Sequence, residues 1–247
     1  MIVQDINNLD RQSLGTCIAI GNFDGIHDGH LELIKKTIEI SDEKNLIPTI
    51  LTFDPMPEEF FDVNGFFRLM DISSKYKVFE KYGIEQVVVI PFDKNFSEIS
   101  KDEFIENILV EKLMLRHLIV GYDFKFGYKR SGDTNLLKFY KDRGLFDLSI
   151  IDIIKATDRK ISSRDIRALV KIGCIKDANK LMSEPFSISG KVIHGEKRGR
   201  ELGYPTANIE IYKSYPIDGI FLVSILFENQ RLYGLASWGD KPTFSCN

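Results

Sequence analysis

The chain has little cysteine, no long apolar run and no marked excess of charge of either sign. Its three cysteines, Cys17, Cys174 and Cys246, lie far apart, form no CxxC pair and are odd in number. That excludes a disulfide framework and a cysteine-based zinc site, and it points to a reducing, cytoplasmic setting. No apolar stretch approaches the roughly 20 residues needed to cross a bilayer, and the N-terminus MIVQDINNLDRQ lacks the basic start and apolar run of a secretion signal. No membrane role is expected. With 33 basic against 36 acidic residues and a formal charge of -3, there is no global basic field to attract nucleic acid, so an anionic ligand must be held locally. Internal repeats and low-complexity segments are also missing.

What is present is a chain of 247 residues, 43% hydrophobic, enough for a sizeable core in one large domain or two modest ones. Up to about residue 155, short apolar runs alternate with amphipathic stretches, the pattern of βα units around a parallel sheet. CIAIGNF (17–23), LIPTILTF (46–53), QVVVIPF (86–92), HLIVGYDF (117–124) and LFDLSIIDII (145–154) read as strands. Between them, Leu31, Ile34 and Ile38 share one helical face, as do Phe104, Ile108 and Leu109. A doubly wound α/β domain is therefore expected, with two further helical stretches near 162–170 and 174–182. SEPFSISGK marks a boundary near Glu184, dividing the chain into 1–184 and 185–247. Beyond it SISGKVIH, GIFLVSILFE and RLYGLASW read as strands without intervening helices.

Two of the four histidines fall three residues apart in AIGNFDGIHDGHLELIKK (19–36), among glycines. His27 and His30 read as ordinary turn residues, as metal ligands, or as groups handling phosphate. The spacing is not that of an HExxH zinc helix. For phosphate, a strand ending at Phe23 runs into a turn with Gly21, Gly25 and Gly29, and a helix starts near Asp28. Such a turn aims backbone N–H groups and a helix dipole at an anion. The segment matches neither GxGxxG nor the Walker A pattern. It resembles the GxFDGxHxGH signature of the nucleotidylyltransferase superfamily through Gly21, Phe23, Asp24, Gly25, His27, Gly29 and His30. In that superfamily the paired histidines contact the ATP phosphates.

Further segments resemble prokaryotic FAD synthetases, the bifunctional riboflavin kinase/FMN adenylyltransferases. They are FDPMP (53–57), FRLMDISSKYKVFEKYGIEQVVVIPFD (67–93), VGYDFKFGYKRSGD (120–133) and ISSRDIR (161–167), followed by the kinase-like GKVIHGEKRGRELGYPTANI (190–209). The resemblance implies a Rossmann-like, doubly wound parallel-sheet nucleotidylyltransferase domain followed by a small, incomplete all-β barrel of riboflavin-kinase type. It implies transfer of AMP from ATP to FMN, with FAD and pyrophosphate as products and Mg2+ accompanying ATP. His27, His30 and Arg167 would be catalytic. Gly21, Asn22, Phe23, Asp24, Gly29, Ser162 and Ser163 would bind ATP, and Phe53, Pro55, Pro57, Asp123, Phe124 and Phe126 would bind FMN, with Asp123 and Phe126 favoured over Phe124. Arg68 and Arg130 are candidates for meeting phosphate.

Two positions depart from the family pattern: Met56 stands where FDPHP has histidine, and Arg164 where SSTxIR has threonine. In the kinase-like part the resemblance assigns Thr206 and Asn208 to magnesium and nucleotide phosphate, with Gly190, Gly195, Gly199 and Gly203 as glycine-rich surroundings. The family's catalytic glutamate lies beyond a PTF segment, here Pro242 to Phe244, and the sequence stops at Asn247. Riboflavin kinase activity is therefore expected to be absent, and open strand edges in 185–247 predict self-association or local disorder. Two other functions remain at this point: a non-catalytic flavin or nucleotide sensor, and a nucleotidylyltransferase with a different acceptor.

Overall fold

The computed structural model describes residues 1–9, 14–61, 66–152, 161–194, 203, 206–211, 215–228 and 230–239. Gly195, Gly199, Cys246, the Pro242 to Phe244 segment and the end of the 145–154 run lie outside the described residues. In chain order the first part contains β1 (Ile2–Asp5), β2 (Thr16–Ile20), α1 (Asp28–Lys44), β3 (Ile47–Phe53), α2 (Pro57–Phe60), α3 (Ile72–Tyr82) and β4 (Gln86–Ile90). It continues with α4 (Lys94–Ser97), α5 (Lys101–Glu103) running into a π-helix over Phe104–Lys112, β5 (Leu115–Gly121), β6 (Lys125–Phe126), β7 (Gly132–Asp133), α6 (Thr134–Asp142) and β8 (Asp147–Ile151). Two helices follow, α7 (Ser163–Lys171) and α8 (Ile175–Lys180), and then β9 (Lys191–Ile193), β10 (Asn208–Glu210), β11 (Gly219–Phe227) and β12 (Gln230–Trp238).

Six strands form one sheet in the order β1-β4-β3-β2-β5-β8, with every pairing parallel. Alternation along the strands supplies both faces. Cys17 and Ala19 of β2, Ile50 of β3 and Val87 of β4 join the α1 and α3 side chains Ile34, Val78 and Phe79 on one face. Ile18, Ile20, Leu51 and Val88 join Phe104, Leu109, Leu137 and Tyr140 on the other. A third apolar cluster, Phe67, Leu69, Ile166, Val170, Ala178 and Met182, packs α7 and α8 against the loop before α3. The Rossmann-like, doubly wound expectation holds.

Several boundaries differ from the sequence reading. β2 stops at Ile20 rather than Phe23, because the backbone turns into positive φ at Phe23. β1 was not expected as a strand: it lies at the sheet edge beside β4, where Ile2 and Val3 stay exposed and no buried stripe marks it. The buried face of α1 is Leu33, Ile34, Thr37, Ile40 and Ser41, with Leu31 and Ile38 at its margins.

The C-terminal strands pair as two separate antiparallel ribbons, β9 with β10 and β11 with β12. No closed barrel forms among the described residues. Phe186, Tyr215 and Ile217 pack on the Phe67 cluster. No helix among the described residues is long and apolar enough to cross a membrane. Leu118, fully buried in β5, tests the sheet core: Leu118→Ala should cost about 2–5 kcal/mol, read as a lowered denaturant midpoint, and an unchanged midpoint would contradict this packing.

Candidate active site

In parallel sheets of this kind ligands sit beyond the carboxyl ends of the strands. Here the central strand β2 has β3 on one side and β5 on the other, so its end at Ile20 is flanked by Phe53 and Gly121. Residues 21–27 leave that end and enter α1. Three of them have positive φ: Phe23 at 50°, Gly25 at 78° and Ile26 at 25°. The conformation of Gly25 favours glycine, and a Cβ there would meet Leu69 Cδ1 at 2.9 Å, so that side chain would have to shift. Phe23 and Ile26 hold their unfavourable conformations because both side chains are wholly buried, with Phe23 edge-on to Phe79 at 5.3 Å.

The turn is pinned from within at alternate carbonyls. Asn22 O accepts from Lys75 Nζ (2.8 Å), Asp24 O from Ser163 Oγ (2.8 Å) and Ile26 O from the Ser183 N–H (2.9 Å). In a trans peptide the N–H points opposite to the carbonyl. The N–H groups of Phe23, Gly25 and His27 therefore face away from these three donors, and none finds an acceptor among the described residues. Unpaired amides in a turn that leads into a helix N-terminus are suited to an anion.

His27 and His30 stand on this turn and the first turn of α1, their rings stacked with centroids 3.9 Å apart. Both Nδ1 atoms are buried without a partner among the described residues. Burial pushes His27 down to about 4, an effect partly offset by Asp28 and Asp165. Burial, then His27 and Lys75, holds His30 well below the ordinary histidine range. Both rings are neutral at pH 7, each with one donor and one acceptor nitrogen.

Asp24, 1% exposed, is turned into the protein rather than toward a ligand. It accepts from the Leu69 N–H (2.9 Å) and Met70 N–H (3.3 Å) and pairs with Arg167 Nη2 at 2.6 Å. Arg167 also donates from Nε to Phe67 O (2.9 Å) and lies over the Phe66 ring at 4.4 Å. The expected phosphate arginine is thus engaged with Asp24, next to the turn. Ser162 caps α7 in a reciprocal box with Asp165, while Ser163 holds the turn itself. Arg164 is exposed in the first turn of α7. The Asn22 amide donates to Glu58 at 2.8 Å. Gly21 continues the β2 pairing through its N–H to Leu51 O, and Gly29 lies in the first turn of α1.

The flavin candidates cluster around the ends of β3 and β5. Phe53, Pro55 and Pro57 are half-buried, with Phe53 beside Phe92 and Phe96 at 5.9 and 5.8 Å. Met56 is 1% exposed, so the residue standing at the family's histidine position is a core side chain. Asp123 is exposed. Phe126 is buried in the main core against Phe104, while Phe124 stacks on it from the more open side at 5.5 Å. Phe124 is therefore the more accessible ring, although Phe126 was favoured from sequence as a flavin contact. Arg68 is bound to Glu59 through Nε (2.9 Å) and Nη2 (2.6 Å) and to Asp54 at 2.5 Å, whereas Arg130 is exposed. Thr206 and Asn208 are exposed at the β10 ribbon. Among the described residues no group of three or more His, Cys, Asp or Glu is placed to hold a metal ion.

Sequence reading did not single out Lys75. It is 4% exposed, and burial pushes it down to about 8 despite the nearby Asp24 and Asp54. Its spacing to Val78 and Phe79, the other buried residues of α3, is the signal that could have found it.

Comparison with known proteins gives the family. The FAD synthetase family model matches residues 9–165 and the riboflavin kinase model residues 182–247. The chain belongs to the FAD synthetase family, the bifunctional riboflavin kinase/FMN adenylyltransferases. It is a transferase, with FMN adenylylation the activity of its FAD synthetase part. The relative named bifunctional riboflavin kinase/FMN adenylyltransferase in Buchnera aphidicola (subsp. Schizaphis graminum) is 38% identical, the alignment covering 98% of this chain and 79% of that one. Its namesake in Haemophilus influenzae is 35% identical, over 99% and 80%. A crystal structure of a protein named macrolide-efflux protein, from Streptococcus pneumoniae, has the same fold, with TM-score 0.84, 26% identity and coverage of 99% of this chain and 81% of that one.

The buried histidines make stability depend on pH. Between about pH 4 and 6.5 His27 is neutral in the folded protein but protonated when unfolded, so the unfolded state binds more protons. Stability should fall as pH drops through this window, by about 1.4 kcal/mol per pH unit for one such histidine. His27→Gln should flatten that fall in denaturant titrations at pH 6 and 5; equal slopes in both proteins would contradict the assignment.

Proposed function

We propose that this chain makes FAD by transferring AMP from ATP to FMN, with the turn at 21–30 holding the triphosphate. The observation that carries this reading is the pair of buried, neutral imidazoles whose Nδ1 atoms have no partner among the described residues, on the same turn whose Phe23, Gly25 and His27 amides find no acceptor there. Magnesium enters with the substrate as Mg·ATP. An FMN phosphate oxygen attacks the α-phosphorus; a new P–O bond forms as the bond from the α-phosphorus to the bridging oxygen breaks. Pyrophosphate leaves with that electron pair. No covalent enzyme intermediate is needed, so the protein's contribution is positioning and stabilisation of charge on the phosphate oxygens. His27 and His30 donate to those oxygens, and Arg167, held against the turn by Asp24, supplies charge beside it.

On this reading Phe53, Pro55 and Pro57 wall the flavin on the β3 side, while Asp123 and Phe124 meet it beyond β5, with Phe126 behind Phe124. The acceptor and donor sites thus converge on the end of β2. We place the division between the two parts near residue 184. We also propose that the second part does not phosphorylate riboflavin in this chain, because Thr206 and Asn208 lie exposed and, among the described residues, the two ribbons share no sheet. The β11–β12 ribbon leaves Ile220, Leu222, Tyr233 and Leu235 largely exposed, which favours self-association through this part. No nucleic-acid or membrane partner is part of the proposal.

The test is incubation with Mg·ATP and either riboflavin or FMN, followed by chromatographic separation of the flavins. FAD from FMN, with no FMN from riboflavin, is the expected result. Absence of FAD would overturn the adenylyl-transfer reading, and FMN from riboflavin would overturn the kinase part alone. In the same assay His30→Ala should lower kcat by at least about 100-fold, and an unchanged kcat would remove His30 from the chemistry.

A further inference from the structure

We propose that Lys75 is a positioning residue for the triphosphate site, acting through the Asn22 carbonyl to set the direction of the Phe23 N–H. This rests on the reading of the 21–30 turn as the ATP site.

Burying an ammonium is costly unless it is paired and hydrogen-bonded. Lys75 projects from the apolar face of α3, one turn before Val78 and Phe79, which pack into the core. Its Nζ donates to Asn22 O at 2.8 Å. The same carbonyl has only a long second contact, 3.5 Å from Thr52 Oγ1. Lys75 is therefore the strong hydrogen bond holding that peptide. Of the three donors that pin the turn, Ser163 Oγ and the Ser183 N–H are neutral, and Lys75 alone carries charge.

Two consequences follow from the chemistry of the peptide. Since the Phe23 N–H is opposed to the Asn22 carbonyl, loss of the lysine bond frees the peptide to rotate and take the N–H out of line with Gly25 and His27. The φ of 50° at Phe23 is unfavourable for a residue of its size, so the peptide before it needs holding from the backbone as well as through the buried ring. The ammonium in addition places positive charge beneath a site whose two histidines are neutral. The charged or titratable groups around it are Asp24 in the turn, Asp54 after β3, Arg68 before α3, and His30 on α1.

The measurement is Mg·ATP affinity by calorimetry, together with FMN affinity, for the full chain and for Lys75→Met and Lys75→Gln. Lys75→Met removes both bond and charge; Lys75→Gln keeps an N–H donor able to reach a carbonyl. Lys75→Met should weaken Mg·ATP binding at least about tenfold while FMN affinity changes by less than about threefold, with Lys75→Gln binding ATP about threefold or more tighter than Lys75→Met. Unchanged ATP affinity in Lys75→Met, or equal losses for ATP and FMN, would overturn the proposal. If Lys75→Met does not fold, Lys75→Gln against Lys75→Ser decides in the same way. Because the readout is binding, a chain that binds ATP but makes no FAD would sink the proposed reaction while still deciding the role of Lys75.

Discussion

The site depends on the buried carboxylate of Asp24. It takes the guanidinium of Arg167 at 2.6 Å and the N–H groups of Leu69 and Met70, and so joins the β2–α1 turn, the loop before α3 and helix α7 at one point. These elements are remote in sequence, and the Asp24 carboxylate ties them together beside the hydrogen bonds from Lys75 and Ser163 to the turn. A buried pair of this kind adds little net stability, yet removing one partner leaves an unpaired buried charge at a cost of about 3–5 kcal/mol. It therefore specifies geometry more than it adds stability.

With the turn fixed, the chemistry follows from how its polar groups are divided. Carbonyls at 22, 24 and 26 are occupied from inside by α3, α7 and the segment after α8, and the opposed amides are left for a ligand. The histidines complete that surface as neutral donors. Their neutrality suits phosphate binding, because an imidazole already stripped of its extra proton by burial orients a phosphate oxygen without changing protonation across the physiological range. On the proposed reading positive charge comes instead from Arg167, paired with Asp24, and from Lys75, whose positions are set by packing. Preorganised dipoles and charges in a water-poor site stabilise a transferring phosphoryl group without reorganisation.

Much of this was legible from sequence. The GNFDGIHDGH run identified the turn, the histidine pair and the helix start, and alternating apolar runs identified the five inner and far-edge strands. What escaped had long-range causes. β1 has no buried stripe because it lies at an edge. The Asp24–Arg167 pair spans 143 residues, so an arginine expected to face phosphate proved to be shared with a carboxylate. Arg68, a candidate for meeting phosphate, is bound by Asp54 and Glu59, which sequence separation hides. Phe124 and Phe126 alternate on one short stretch, and only the packing of Phe104 shows which ring is buried. Lys75 carried a legible signal, its place in the apolar stripe of α3, but a lysine on a helix ordinarily reads as solvated.

The central claim is that the amides of Phe23, Gly25 and His27 form the floor of the triphosphate site. The most direct measurement is the amide nitrogen–proton spectrum of the labelled chain titrated with Mg·ATP in the absence of FMN. The account predicts large downfield proton shifts at these three amides, saturating together with the bound fraction. Saturable ATP binding that leaves all three unmoved, with shifts concentrated elsewhere, would contradict it.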